Sequence, residues 1–178
     1  MRLVLLLLLM TPVSAIADDA FPTQMVDAMM ERYAGDAPGA PVLVLRNGVP
    51  LLRKSYGLAD REARIAATPA TNYRLASVTK QFSAAAIMLL VEEGRLTLDD
   101  SARRWLPSLP ALADSITLRH LLTHSSGLID YEDVMPADFA GQLHDADVLR
   151  LLETQDRTYF PPGSGYRYSN SGYALLAL

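Results

Sequence analysis

Asn72-Tyr73-Arg74-Leu75-Ala76-Ser77-Val78-Thr79-Lys80-Gln81-Phe82 leads into the apolar run Ser83 to Val91, SAAAIMLLV, which Glu92-Glu93-Gly94 closes. Ala, Met and Leu are strong helix formers and Gly94 is a good helix stop, so the spacing predicts a helix from Ser77 to about Glu93. From Phe82 onward the apolar residues leave no polar stripe, which predicts a helix buried on nearly all sides, in the middle of a domain. Ser77 and Lys80 are three apart and point off one helix face. The first backbone N–H groups of a helix lack internal partners and carry partial positive charge. A serine there has donors beside it for an oxyanion. A half-buried lysine near positive charge gives up its proton more easily than a free one, and a neutral amine helps to deprotonate a serine. The other reading makes Ser77 an ordinary helix cap and Lys80 a surface residue.

Upstream, Pro41-Val42-Leu43-Val44-Leu45-Arg46 and Val49 to Tyr56 flank Asn47-Gly48, the strongest short hairpin signal. The first strand is apolar at consecutive positions, which predicts a central strand covered on both faces. Ala20 to Tyr33 carries Phe21, Met25, Val26, Met29 and Met30 at helical spacing, a core-facing helix whose methionines are packing rather than a cofactor box. Gly57 to Thr71 is a polar connection.

At the start, Arg2, the apolar stretch Leu3 to Met10, and Ala15-Ile16-Ala17 before Asp18-Asp19 have the layout of a cleaved secretory signal over residues 1–17. Its apolar core is too short for a permanent membrane anchor, so no stable membrane span is expected after cleavage. Residues 18–178 are then the mature chain, exported to a bacterial periplasm or beyond. The balance of the 178 residues is that of a globular protein, 50% apolar and 20% charged. A net charge of −4 offers no basic surface for nucleic acid. The absence of Cys removes disulfides and thiolate chemistry.

Downstream, Leu96 to Asp100 reads as a turn with an Asp cap, before a short helix to Trp105. Thr117 caps a helix over Leu118 to Thr123 with Leu118, Leu121 and Leu122 inward. His120 and His124 are four apart, a spacing that chelates metals on a helix, but no third ligand stands at a recognisable distance in sequence, so no metal and no cofactor are expected. Asp130 to Asp133 reads as a solvated acidic loop, and Asp145 to Glu153 as a helix with Val148, Leu149, Leu151 and Leu152 on it.

The second informative stretch is Phe160-Pro161-Pro162-Gly163-Ser164-Gly165-Tyr166-Arg167-Tyr168-Ser169-Asn170-Ser171-Gly172-Tyr173, a stiff, sharply turned loop. An extended Tyr168-x-Asn170 presents both side chains to one side. A tyrosine acts as a general base when cationic neighbours lower its pKa, and Asn170 offers donors and an acceptor. The alternative is a loop tyrosine with a buried hydroxyl and an asparagine capping the next helix. Ser164 lacks the G-x-S-x-G nucleophile signature.

The hairpin over Pro41 to Tyr56, Ser77-Val78-Thr79-Lys80, the segment Ile116 to Leu128 and the stretch Phe160 to Tyr173, in that order, resemble the serine beta-lactamase and penicillin-binding-protein superfamily. The resemblance is closest to its class C-like branch of D-alanyl-D-alanine carboxypeptidases, class C beta-lactamases and related esterases; the S-D-N triplet of class A enzymes is not present. It implies an α/β fold, an antiparallel sheet flanked by helices with an inserted helical region. It also implies that Ser77 is the acylated nucleophile, that Lys80 and Tyr168 share proton transfer, and that Asn170 holds Lys80 and the substrate amide. The implied partner is a small molecule or peptide: a beta-lactam, a D-Ala-D-Ala peptide or an ester.

The family's third motif, Lys-Thr-Gly or His-x-Gly, does not follow Tyr168. Residues 18–178 are therefore expected to be the N-terminal part of a single beta-lactamase-like domain, mostly helical with one hairpin. Two functions follow: a serine hydrolase working through a Ser77 acyl-enzyme, or a truncated or non-catalytic module that binds a cell-wall peptide without turnover.

Overall fold

The computed structural model describes residues 21–178. The expected signal segment, residues 1–17, lies outside the described residues. The chain forms two compact units, divided between Tyr73 and Arg74.

In the first unit, β1 (Ala40–Arg46) and β2 (Val49–Tyr56) form an antiparallel pair joined at Asn47-Gly48. Both turn residues have positive φ, 51° and 79°, which is the backbone of a tight type I′ hairpin. A bulge between Val44 and Leu45 shifts the register, so that Leu45 faces Pro50. The expected covering of β1 on both faces is not found: its residues alternate between half-buried and exposed, and Leu43 and Leu45 lie open. The reason is pairing, since β1 is bonded only to β2 among the described residues. The connection after Gly57 carries a second small pair, β3 (Leu58–Asp60) and β4 (Ile65–Ala66).

The helix predicted over Ala20 to Tyr33 is α1 (Thr23–Met30) with a 3₁₀ turn over Glu31–Tyr33. Its methionines do not form a core stripe, for Met25 and Met29 are largely exposed. A polar contact fastens α1 to the hairpin instead: Asp27 Oδ1 accepts from Lys54 Nζ and from the Tyr56 hydroxyl, each at 2.6 Å. The bond to Asp27 is the main cause that pushes the Tyr56 phenol up to about 12.

The second unit contains α2 (Thr79–Glu92), α3 (Ala102–Trp105), α4 (Leu118–Leu122), α5 (Asp145–Glu153) and α6 (Asn170–Leu176). Its middle is α6, not α2. Ser171, Gly172, Ala174 and Leu175 of α6 are buried, and the helix touches α2, α4 and α5. Small residues permit this: a Cβ on Gly172 would lie 3.3 Å from the Leu121 carbonyl, so α4 and α6 pack nearly backbone to backbone. The core joins Ile87, Ile116, Leu121, Val148, Leu152 and Leu175. Of α2, only Ile87 is buried, while Phe82, Met88 and Leu89 are exposed. The all-round apolar pattern predicted burial on every side, but the elements touching α2 cover one side of it.

Local signals downstream hold well. Thr117 caps α4 by accepting from the His120 N–H, and His120 Nδ1 accepts in return from the Thr117 N–H. Asp100 accepts from the Thr97 N–H at 3.0 Å, and Ser101 caps α3.

Candidate active site

Ser77 sits in a 3₁₀ turn, Ala76–Val78, that runs straight into α2. Ala76 has φ 46°, a left-handed backbone that a residue with a Cβ adopts at a cost. The expected first-turn geometry is kept, because the 3₁₀ turn and α2 together set Ser77 and Lys80 three residues apart on one side. Lys80 Nζ donates to Ser77 Oγ at 3.3 Å and to Asn170 Oδ1 at 2.6 Å. The Tyr168 hydroxyl meets Ser77 Oγ at 2.6 Å, from 91 residues away in sequence. Thus the four residues singled out in the sequence, Ser77, Lys80, Tyr168 and Asn170, converge. The cap reading of Ser77 does not describe this turn: the capping positions are Leu75 and Val78, and neither makes a side-chain cap bond.

Tyr168 and Asn170 share a side because Ser169 between them is extended, with φ −140° and ψ 131°. Ser169 is also the cap of α6, accepting from the Gly172 N–H, so Asn170 is spared the capping duty. The Lys80 ammonium first, and the bond to Ser77 second, hold the Tyr168 phenol below the ordinary tyrosine range.

A second strip of chain backs the tyrosine. His124 has φ 57°, and its ring lies 4.6 Å from that of Tyr168 and 5.3 Å from that of Tyr173. Its Nδ1 accepts from the Ser169 N–H at 3.2 Å and its carbonyl from the Arg167 N–H at 3.0 Å. Burial first, then the charge of Lys80, lowers the His124 pKa below its ordinary value. The two histidines are therefore spent separately, His120 on the α4 cap and His124 on the tyrosine loop. Among the described residues no group of three His, Asp or Glu is placed to hold a metal ion. Gly127 lies so close to the same loop that a Cβ on it would stand 2.0 Å from the Phe160 carbonyl oxygen.

The acidic loop is the main correction. Asp130 is buried, 7% exposed, and its Oδ2 accepts from the Asn170 N–H at 2.7 Å. Glu132 Oε1 accepts from Asn170 Nδ2 at 2.9 Å. The Tyr131 N–H donates to Ser171 Oγ at 2.7 Å, and Arg167 pairs with Asp133 at 2.9 Å. Four contacts thus tie residues 130–133 to residues 167–171. No local signal marks them, since each joins positions more than 30 residues apart. Ser77, Lys80 and Asn170 open on a cleft of about 440 Å³ whose lining also holds Arg74, Glu132 and His144.

A serine hydroxyl held between an amine and a phenol is the feature around which the class is read, a fold of the lactamase and transpeptidase kind. Residues 23–178 match the family described as Beta-lactamase, and the chain belongs to that family. The chain is 34% identical over 163 residues to protein flp of Staphylococcus aureus (strain COL), covering 87% of this chain and 32% of that one. It thus spans about a third of the length of that curated relative. The penicillin-binding protein of Bacillus halodurans superposes with a TM-score of 0.70 at 33% identity, over 85% of this chain and 46% of the other. The D-amino acid amidase of Ochrobactrum anthropi SV3, solved with L-phenylalanine, gives a TM-score of 0.69 at 30% identity, over 86% and 41%. The fold is accordingly the α/β fold of beta-lactamases and transpeptidases. Among the described residues no helix is long and apolar enough to cross a membrane.

Proposed function

We propose that the chain is part of an exported serine hydrolase, periplasmic or secreted, that cleaves small amide or ester substrates through an acyl-enzyme on Ser77. The observation that carries this is the meeting of Ser77 Oγ with the Tyr168 hydroxyl at 2.6 Å and Lys80 Nζ at 3.3 Å. The tyrosine at this position favours the class C-like branch of the family.

In this reading Ser77 Oγ attacks the substrate carbonyl and its proton passes to Tyr168. Two features favour the phenol over the amine as acceptor: the shorter contact, and a pKa already lowered by the neighbouring cation. Lys80 Nζ lies 4.9 Å from the centre of the Tyr168 ring and donates to Asn170 Oδ1. Backbone N–H groups at the head of the 3₁₀ turn take the developing oxyanion. The proton then moves from Tyr168 to the leaving amine or alcohol, and water releases the acyl group by the reverse route.

The substrate classes are a beta-lactam, a D-Ala-D-Ala peptide or a simple ester, which are the amide and ester groups such a site attacks. The test is incubation with a fluorescent penicillin and with an activated ester, followed by intact mass. One covalent adduct per chain, lost in Ser77→Ala, is the expected result. Reversible binding without any adduct from either probe would instead favour a module that holds cell-wall peptide without turnover.

A further inference from the structure

We infer that Glu132 is a positioning residue that fixes which way the Asn170 side-chain amide faces. The inference rests on the proposed roles of Ser77, Lys80 and Tyr168. An asparagine amide has nearly the same shape in its two orientations, so its neighbours decide between them. Here the neighbours have opposite and unambiguous character. Lys80 is donor-only and meets Oδ1 at 2.6 Å; Glu132 is acceptor-only and meets Nδ2 at 2.9 Å. Turning the amide over would set its NH₂ against an ammonium and its oxygen against a carboxylate. Both contacts would become repulsive.

Lys80 alone leaves the Nδ2 end of the amide without a partner on the other side. With Glu132 in place the amide is gripped at both ends, and Lys80 is held where it also reaches Ser77 Oγ. Glu132 is itself held by the backbone: the buried Asp130 carboxylate accepts from the Glu132 N–H at 3.3 Å through Oδ1, and from the Asn170 N–H at 2.7 Å through Oδ2. One buried carboxylate thus sets the spacing between the gripping residue and the gripped one. The Tyr159 hydroxyl accepts from the Asp130 N–H at 3.1 Å and donates to Asp133, which steadies the loop from its far side.

The test reads the amide directly. Among these 178 residues the asparagines are Asn47, Asn72 and Asn170; ¹⁵N-asparagine labelling reports their side-chain pairs, and Asn170→Asp identifies the one in question. The Asn170 pair is expected to be shifted and slow to exchange with solvent in the parent. In Glu132→Ala it should move toward the values of a free amide and exchange faster. Acylation by saturating fluorescent penicillin should slow about tenfold or more, with the half-saturating concentration unchanged, as for a group that acts on the reacting constellation rather than on binding. Glu132→Asp should recover part of both effects.

An Asn170 pair that is unchanged in Glu132→Ala overturns the inference. So does a loss expressed only as a higher half-saturating concentration, which would make Glu132 a substrate contact. If the parent itself forms no adduct, the proposed hydrolase reading fails, while the amide signals still decide whether Glu132 orients Asn170.

Discussion

Replacing Gly127 by alanine tests the packing that delivers Tyr168 to Ser77. Gly127 has φ 70°, and a Cβ there would stand 2.0 Å from the Phe160 carbonyl oxygen, where real Cβ atoms keep 3.0 Å or more. The Phe160 carbonyl must then retreat by about 1 Å, and the Tyr159 N–H that donates to the Gly127 carbonyl at 2.8 Å moves with it. The left-handed backbone alone costs an alanine about 1–2 kcal/mol. Overpacking adds about 1–3 kcal/mol. Gly94 supplies the control, because it has φ 67° and nothing within 4 Å of its would-be Cβ, so Gly94→Ala meets the backbone strain without the collision. Gly127→Ala should therefore lower the urea midpoint beyond Gly94→Ala by roughly 1 M, given slopes of about 1–3 kcal/mol per molar for small proteins. The residue range 160–168 is tied to the Gly127 strip through Gly163 to Ser125 and Arg167 to His124, so the displacement reaches Tyr168. A shift of about 1 Å at reacting groups costs on the order of 10²-fold in rate, and acylation by fluorescent penicillin should fall by that factor in Gly127→Ala and not in Gly94→Ala. Equal midpoints for the two variants, or unchanged acylation in Gly127→Ala, would refute the argument.

Three further outcomes are expected. Tyr168→Phe removes the 2.6 Å contact to Ser77 and should slow acylation by about 10²–10⁴, measured in single turnover, with little effect on stability because the side chain is 45% exposed and keeps its ring against His124. In the parent, acylation should rise with pH as the phenol ionises, with an inflection below that of free tyrosine, since Lys80 lowers its pKa; Tyr168→Phe should abolish that limb. Ser171→Ala leaves the Tyr131 N–H without its 2.7 Å acceptor at a fully buried position and should cost about 1–3 kcal/mol by equilibrium unfolding.

What was legible in the sequence was what is local. The Asn47-Gly48 turn, the Thr117 cap and the Ser77–Lys80 spacing each depend on neighbours a few residues away, and each is found as expected. What was not legible depends on partners distant in the chain. Asp130 and Glu132 read as a solvated acidic loop because the acids cluster there with no cation beside them; their partners lie 40 and 38 residues downstream. The spacing of His124 from His120 is visible in the sequence, whereas its contact with Tyr168 is not. The error over α2 has the same origin. Composition records that a helix is apolar all round, not which of its sides a neighbour reaches.

The run Tyr168-Ser169-Asn170-Ser171 shows why the site depends on register rather than on residue type alone. Tyr168 reaches Ser77, Ser169 caps α6, Asn170 spans Lys80 and Glu132, and Ser171 receives the Tyr131 N–H. The extended backbone at Ser169 turns Tyr168 to Ser77 and Asn170 to Lys80, and the first turn of α6 turns Ser171 into the core. A shift of one residue would send the phenol to the cap and the amide to the core, where a bulky or unpaired polar group is costly. Four polar side chains in succession are tolerated because each has a different partner. The same loop, 130–133, supplies partners for two of them, so the acid groups that look idle in the sequence hold Asn170 and the head of α6 in register.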